Sequence, residues 1–161
     1  MHRLAFRRPF WILTLLALAV TVVGLRALPS WASDGDVVFS DVKAQSAQFI
    51  EYYNQIKLTP EQEAIKKEAL TALPAPCCSD NTAYTCCCPC NMSLTIWGLS
   101  AHLIVNQGYQ ADALREKVKE WVAFINPDGY SGNVCYTGGC ARPFKHNGCG
   151  GMRPGHVTYA D

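Results

Sequence analysis

Nine cysteines lie in the last 85 residues, and six of them, Cys77, Cys78, Cys86, Cys87, Cys88 and Cys90, fall within fourteen positions. Thiols at this density bind a soft metal, exchange electrons or form disulfides. Two patterns overlap in Cys86-Cys87-Cys88-Pro89-Cys90. Cys86, Cys88 and Cys90 alternate as C-x-C-x-C, while Cys87 and Cys90 make a C-x-x-C. Thiolates so spaced can wrap one thiophilic ion: Cu(I) accepts two or three sulfurs, Zn(II) four in a tetrahedron. The predicted ligands are Cys86, Cys87, Cys88 and Cys90, completed from the tail by Cys135, Cys140, Cys149 or His146. Adjacent cysteines rarely serve one tetrahedral ion together, so Cys77-Cys78 is set apart from this list. An iron–sulfur cluster ranks below Cu(I) or Zn(II), because it would have to be inserted before export. No C-x-x-C-H occurs, so covalent c-type haem is not expected.

Two other readings stand beside metal binding. A C-x-x-C ahead of a helix is the usual dithiol arrangement, and a helix N-terminus lowers the pKa of a thiol there. Cys87 and Cys90 would then be the catalytic pair of a periplasmic oxidoreductase acting on a partner thiol protein. No thioredoxin-like βαβ pattern surrounds them. The third reading is an interaction module without catalysis, in which disulfides worth ~2–4 kcal/mol each staple the tail to the rest. Nine is odd, so one thiol would be left over. No paired carboxylates, phosphate loop or Ser-His-Asp arrangement argues for hydrolysis or phosphoryl transfer. With a net charge of +1 and no basic stripe, nucleic acid is not an expected partner.

The compartment is read from residues 1–32. Arg3, Arg7 and Arg8 precede an apolar run from Phe10 to Leu25, and Ser30-Trp31-Ala32 offers a cleavage site. This predicts an exported, periplasmic or cell-envelope protein. An uncleaved N-terminal anchor is the alternative, and it would be the sole membrane contact. Arg7-Arg8-Pro9-Phe10 partly matches a twin-arginine signal. The export route is left open.

The elements that must position the sulfurs are helical: residues 33–125 are expected to form a small all-α bundle of about four helices. The first is predicted over 42–57, capped by Ser40, with Val42, Phe49, Tyr53 and Ile56 on one face. The second follows Thr59-Pro60-Glu61-Gln62, a capping-box signature, and runs to about 73, where Pro74 and Pro76 stop it. Glu63 and Lys67 are expected to pair on it. The third, 92–107, is apolar nearly all round and so central, with Gly98 permitting close packing and Gly108 as its stop. The fourth, 111–125, carries Leu114, Val118, Trp121 and Ile125 on one side and returns antiparallel to the third. From Asn126 the texture changes, with eight of the twelve glycines lying beyond it. Residues 126–161 are predicted to be a loop-rich, cysteine-rich cap that folds back on the cysteine run.

The Cys86/Cys88/Cys90 alternation, with a helix–Gly–helix hairpin after it, resembles the bacterial exported PCYCGC-motif proteins over residues 84–125. The residues between that family's cysteines are replaced here by Cys87 and Pro89. Cys87-Cys88-Pro89-Cys90 before a helical hairpin is also similar to the thiol-reductase subunit of cytochrome c maturation, whose Arg before the motif and Gln-Asn-Gln after it are absent. Both resemblances imply an exported helical thiol protein.

Overall fold

A polar residue opens each of the first two helices. The computed structural model describes residues 35–131 and 133–159, which lie in one compact unit; the predicted export segment, 1–32, is outside them. Helix α1 spans Val42–Gln55, and its cap is Asp41 rather than Ser40: Asp41 Oδ1 accepts from Ala44 N at 2.9 Å. The shift has a cause in Gln45. Its Oε1 accepts from Ser40 N and Asp41 N, and its Nε2 donates to Val38 O, fixing the entry of the chain. The buried face is Val42, Ser46, Phe49 and Ile50. Tyr53 is 40% exposed and leans on Trp97, because a 3.6-residue period brings Ile50 inward where near-heptad spacing had pointed to Tyr53.

Helix α2, Pro60–Thr71, has the full capping box: Thr59 Oγ1 accepts from Gln62 N, and Gln62 Oε1 accepts from Thr59 N. Thr59→Ala removes one partner and is expected to cost about 1 kcal/mol in urea unfolding. Lys66, not Lys67, pairs with Glu63, at 3.2 Å. The i,i+3 and i,i+4 spacings lie on the same helix face, and Tyr84 also donates to Glu63 there. Pro74 and Pro76 end the helix, but they lead into an unforeseen hairpin. Strand β1, Pro74–Ala75, pairs antiparallel with β2, Cys78–Thr82. Two residues of strand, one a proline confined to an edge, leave no alternating pattern to read. The hairpin carries Cys77 and Cys78 at its bend, both buried.

Helix α3, Asn91–Gln107, is buried on nearly every side, as its composition implies. It ends at Gly108 in the left-handed region (φ 68°). Gly98 meets α1 directly: a Cβ there would stand 1.7 Å from the Phe49 carbonyl oxygen. Helix α4, Ala111–Ile125, buries Leu114, Val118, Trp121 and Ile125. Trp121 packs edge-on against Phe49, and its indole N–H donates to Thr95 Oγ1 at 3.0 Å. Thr95 is therefore a core residue. His102 stacks flat on Tyr52 with ring centroids 4.4 Å apart and bonds Asn106. Lys117, almost buried on α4, holds Asp36 at 2.9 Å and Glu120 at 2.7 Å, tying the segment before α1 to α4.

Beyond Asn126 the chain makes two short 3-10 turns, Val134–Thr137 and Gly139–Ala141, around the buried Phe144. Backbone bonds hold it: Cys149 N to Gly139 O, Gly150 N to Arg142 O and Thr158 N to Gly150 O, each 2.9 Å. Gly150 (φ 77°) packs on the Phe144 ring, where a Cβ would sit 2.5 Å from Cζ. Among the described residues no helix is long and apolar enough to cross a membrane.

Candidate metal centre

The first residues of α3 have backbone N–H groups with no partner inside the helix. The tail supplies two of the acceptors. Asn91 N donates to Gly151 O at 2.9 Å and Met92 N to Cys149 O at 3.1 Å. Asn91 Nδ2 adds a bond to Gly150 O at 2.8 Å. Farther back, Cys135 N donates to Cys77 O at 3.0 Å, and Asn133 Oδ1 accepts from Ser79 N and Oγ. These bonds bring the tail cysteines onto the run from Cys77 to Cys90. All nine cysteines are free thiols.

Three sulfurs converge at the surface. Cys87 and Cys88 stand 3.4 Å apart, Cys88 and Cys135 3.3 Å, and Cys87 and Cys135 3.6 Å. Cys140 lies 3.6 Å from Cys88 and 3.7 Å from Cys135. Sulfurs ~2.3 Å from one tetrahedral zinc are about 3.8 Å from each other, so a small outward movement admits an ion. The Cys87–Cys88–Cys135 trio could hold a metal ion. Cys87 is exposed, and the other two are half-buried.

Burial first, then hydrogen bonding with Cys135, Cys87 and Cys140, pushes the Cys88 thiol up. The bond with Cys88 pulls Cys87 down, but Cys135, desolvation and neighbouring charge outweigh it, so Cys87 is raised as well. Both thiols are therefore protonated at neutral pH, and an entering ion must displace those protons. The sign follows: affinity falls as pH drops and rises with pH across the range below the raised values. Calorimetry at pH 7 in buffers of different ionisation enthalpy is expected to show proton release on Zn(II) binding, with affinity increasing from pH 6 to 8. A pH-independent affinity would contradict it.

A second group lies deeper. Cys90, the residue before α3, is fully buried, as is Cys149, and Cys77 is 1% exposed. Cys90 interacts through its sulfur with Cys149, Cys77 and Cys86. Those three thiols donating to it, together with the Ser93 backbone N–H, hold Cys90 far below the usual thiol range. Cys77 and Cys86 are correspondingly pushed up, Cys77 chiefly by Cys149 and Cys86 chiefly by Cys77. Cys90 is also the residue before the N-terminus of α3, where the helix dipole favours negative charge.

The predicted ligands are divided by this arrangement. Cys87, Cys88, Cys135 and Cys140 approach one another at the surface, whereas Cys90 and Cys149 are buried and Cys86 is half-buried, outside the three-sulfur group. His146 is exposed, with left-handed backbone (φ 62°), and is not part of the three-sulfur group. The C-x-x-C pair Cys87 and Cys90 falls in different groups, which gives the dithiol reading no supporting geometry. Cys77 and Cys78, set apart in the sequence, are both buried and outside the three-sulfur group. Cys78, with Asn81 Nδ2 donating to its sulfur at 3.5 Å, flanks the surface group. No known family, curated protein or solved structure matches this chain.

Proposed function

We propose that this chain is an exported, cysteine-rich protein that binds a thiophilic ion, Cu(I) or Zn(II), in the periplasm or cell envelope. The observation that carries the reading is the mutual approach of Cys87, Cys88 and Cys135 to 3.3–3.6 Å. Disulfides gather sulfurs in twos at about 2.05 Å; three sulfurs facing one point suit a soft ion. On this reading the helices form a bundle whose cysteine-rich cap is the binding end. Export rests on the pattern of residues 1–32, and the likeness of residues 84–125 to PCYCGC-motif proteins points the same way. Protein purified anaerobically is expected to contain metal, or to take up Cu(I) or Zn(II) when offered, with thiols masked in proportion. A metal-free protein with no affinity for either ion would end the proposal.

A further inference from the structure

Cys88 and Cys135 form an edge common to two sulfur triangles. Their sulfurs lie 3.3 Å apart. Cys87 completes the first triangle, 3.4 Å from Cys88 and 3.6 Å from Cys135. Cys140 completes the second, 3.6 Å from Cys88 and 3.7 Å from Cys135. The group of mutually close sulfurs that contains Cys87 does not extend to Cys140, so the Cys87–Cys140 side stays open. The two ends differ in access: Cys87 is exposed and Cys140 is half-buried. Cys135 and Cys140 sit in the two 3-10 turns, which Arg142 ties together by donating to Thr137 Oγ1 at 3.1 Å. The Cys88 carbonyl accepts from Ser93 Oγ, on α3, at 2.8 Å. The shared edge and Cys140 therefore rest on braced backbone, and Cys87 is the sulfur that meets solvent.

We infer that the ion is Cu(I) in three-sulfur coordination, and that Cys87 and Cys140 are alternative third ligands on a fixed Cys88–Cys135 edge: Cys140 retains the ion, and Cys87 passes it to and from an incoming thiol. The inference rests on the metal-binding reading above and adds to it the ion, its coordination number and its route. Cu(I) is satisfied by two or three sulfurs, and either triangle supplies three. Zn(II) wants a tetrahedron of sulfurs with all its edges ~3.8 Å, and here the edge from Cys87 to Cys140 is open. Each move of the ion makes one Cu–S bond and breaks one. The arriving thiol loses its proton, the departing thiolate takes one up, and copper stays Cu(I). Exchange of one ligand at a time keeps a soft ion bound to sulfur throughout, and the exposed Cys87 marks the side from which a partner thiol enters.

The reduced full chain, loaded anaerobically with less than one equivalent of Cu(I), is expected to show the X-ray absorption edge and sulfur shell of three-coordinate Cu(I). Cys87→Ser and Cys140→Ser should each keep that shell, because either sulfur can be the third ligand. Each should bind within about tenfold of the parent in competition with a chromophoric chelator. Cys87→Ser/Cys140→Ser should fall to two sulfurs and bind at least about a hundredfold more weakly than either single variant, the non-additivity expected of interchangeable groups. Transfer to glutathione, a small monothiol, separates the two roles: Cys87→Ser should slow it at least about tenfold, and Cys140→Ser should not slow it. Both substitutions are mild, since neither side chain is fully buried, and the rate comparison needs only the single variants. Four sulfurs around the copper, a double variant no weaker than the single ones, or unchanged transfer from Cys87→Ser would overturn the shared-edge inference while leaving metal binding intact. No uptake of Cu(I) or Zn(II) by the parent would overturn both.

Discussion

Serine at Cys87, Cys88 and Cys135 together is expected to lower Cu(I) affinity at the solvent-facing centre by at least about a thousandfold, about 4 kcal/mol. Each substitution replaces a polarisable thiolate with a hydroxyl, which is a poor ligand for a soft ion and stays protonated at neutral pH. The three sulfurs lie 3.3–3.6 Å from one another, and their joint loss leaves Cys140 as the one thiol recorded within 3.7 Å of the trio, too few for a soft ion that takes two or three sulfurs. Competition against a chromophoric Cu(I) chelator measures the loss directly. Circular dichroism should show the helices unchanged, since Cys87 is exposed and Cys88 and Cys135 are only half-buried. A variant that withholds as much Cu(I) from the chelator as the parent would remove the surface trio from any account of metal binding.

Gly98→Ala is expected to be the most damaging single change outside the cysteines. The added Cβ would lie 1.7 Å from the Phe49 carbonyl oxygen and 2.8 Å from the Tyr53 nitrogen. Both are backbone atoms of α1, so no side-chain rotation relieves the clash, and α1 must move away from α3. That movement loosens Phe49, which is 1% exposed and packs on Trp121. Overpacking of this kind costs about 3 kcal/mol, a large part of a small domain's ~5–15 kcal/mol. It should lower Tm by about 10 °C. Gly35→Ala is the control: nothing stands within 4 Å of its added Cβ, so Tm should not move. If Gly98→Ala melts with the parent, the close α1–α3 contact is wrong.

The helices were legible because their information is local. The Thr59–Gln62 capping box, the Gly108 stop and the apolar face of Leu114, Val118, Trp121 and Ile125 all appear where the sequence places them. Errors arose where two local solutions are nearly equivalent. Asp41 and Ser40 are both good caps, and Gln45 decides between them. Lys66 and Lys67 stand at the two favourable helical spacings from Glu63, and Lys66 makes the pair. The β1–β2 hairpin was hidden because its first strand is two residues long.

The sequence by itself determined the chemistry available to this protein: a set of thiols beside a helix N-terminus, on a scaffold of four helices whose caps and apolar faces are written in short stretches of chain. Only the tertiary structure decided how the sulfurs are shared. Cys86, Cys88 and Cys90 look like one alternating set, yet Cys88 turns to Cys135 at 3.3 Å while Cys90 is fully buried. That division depends on the path of a glycine-rich tail, held by bonds such as Met92 N to Cys149 O and Cys135 N to Cys77 O. Such contacts join residues 57 and 58 positions apart, and no periodicity of the chain encodes where so long a loop will close.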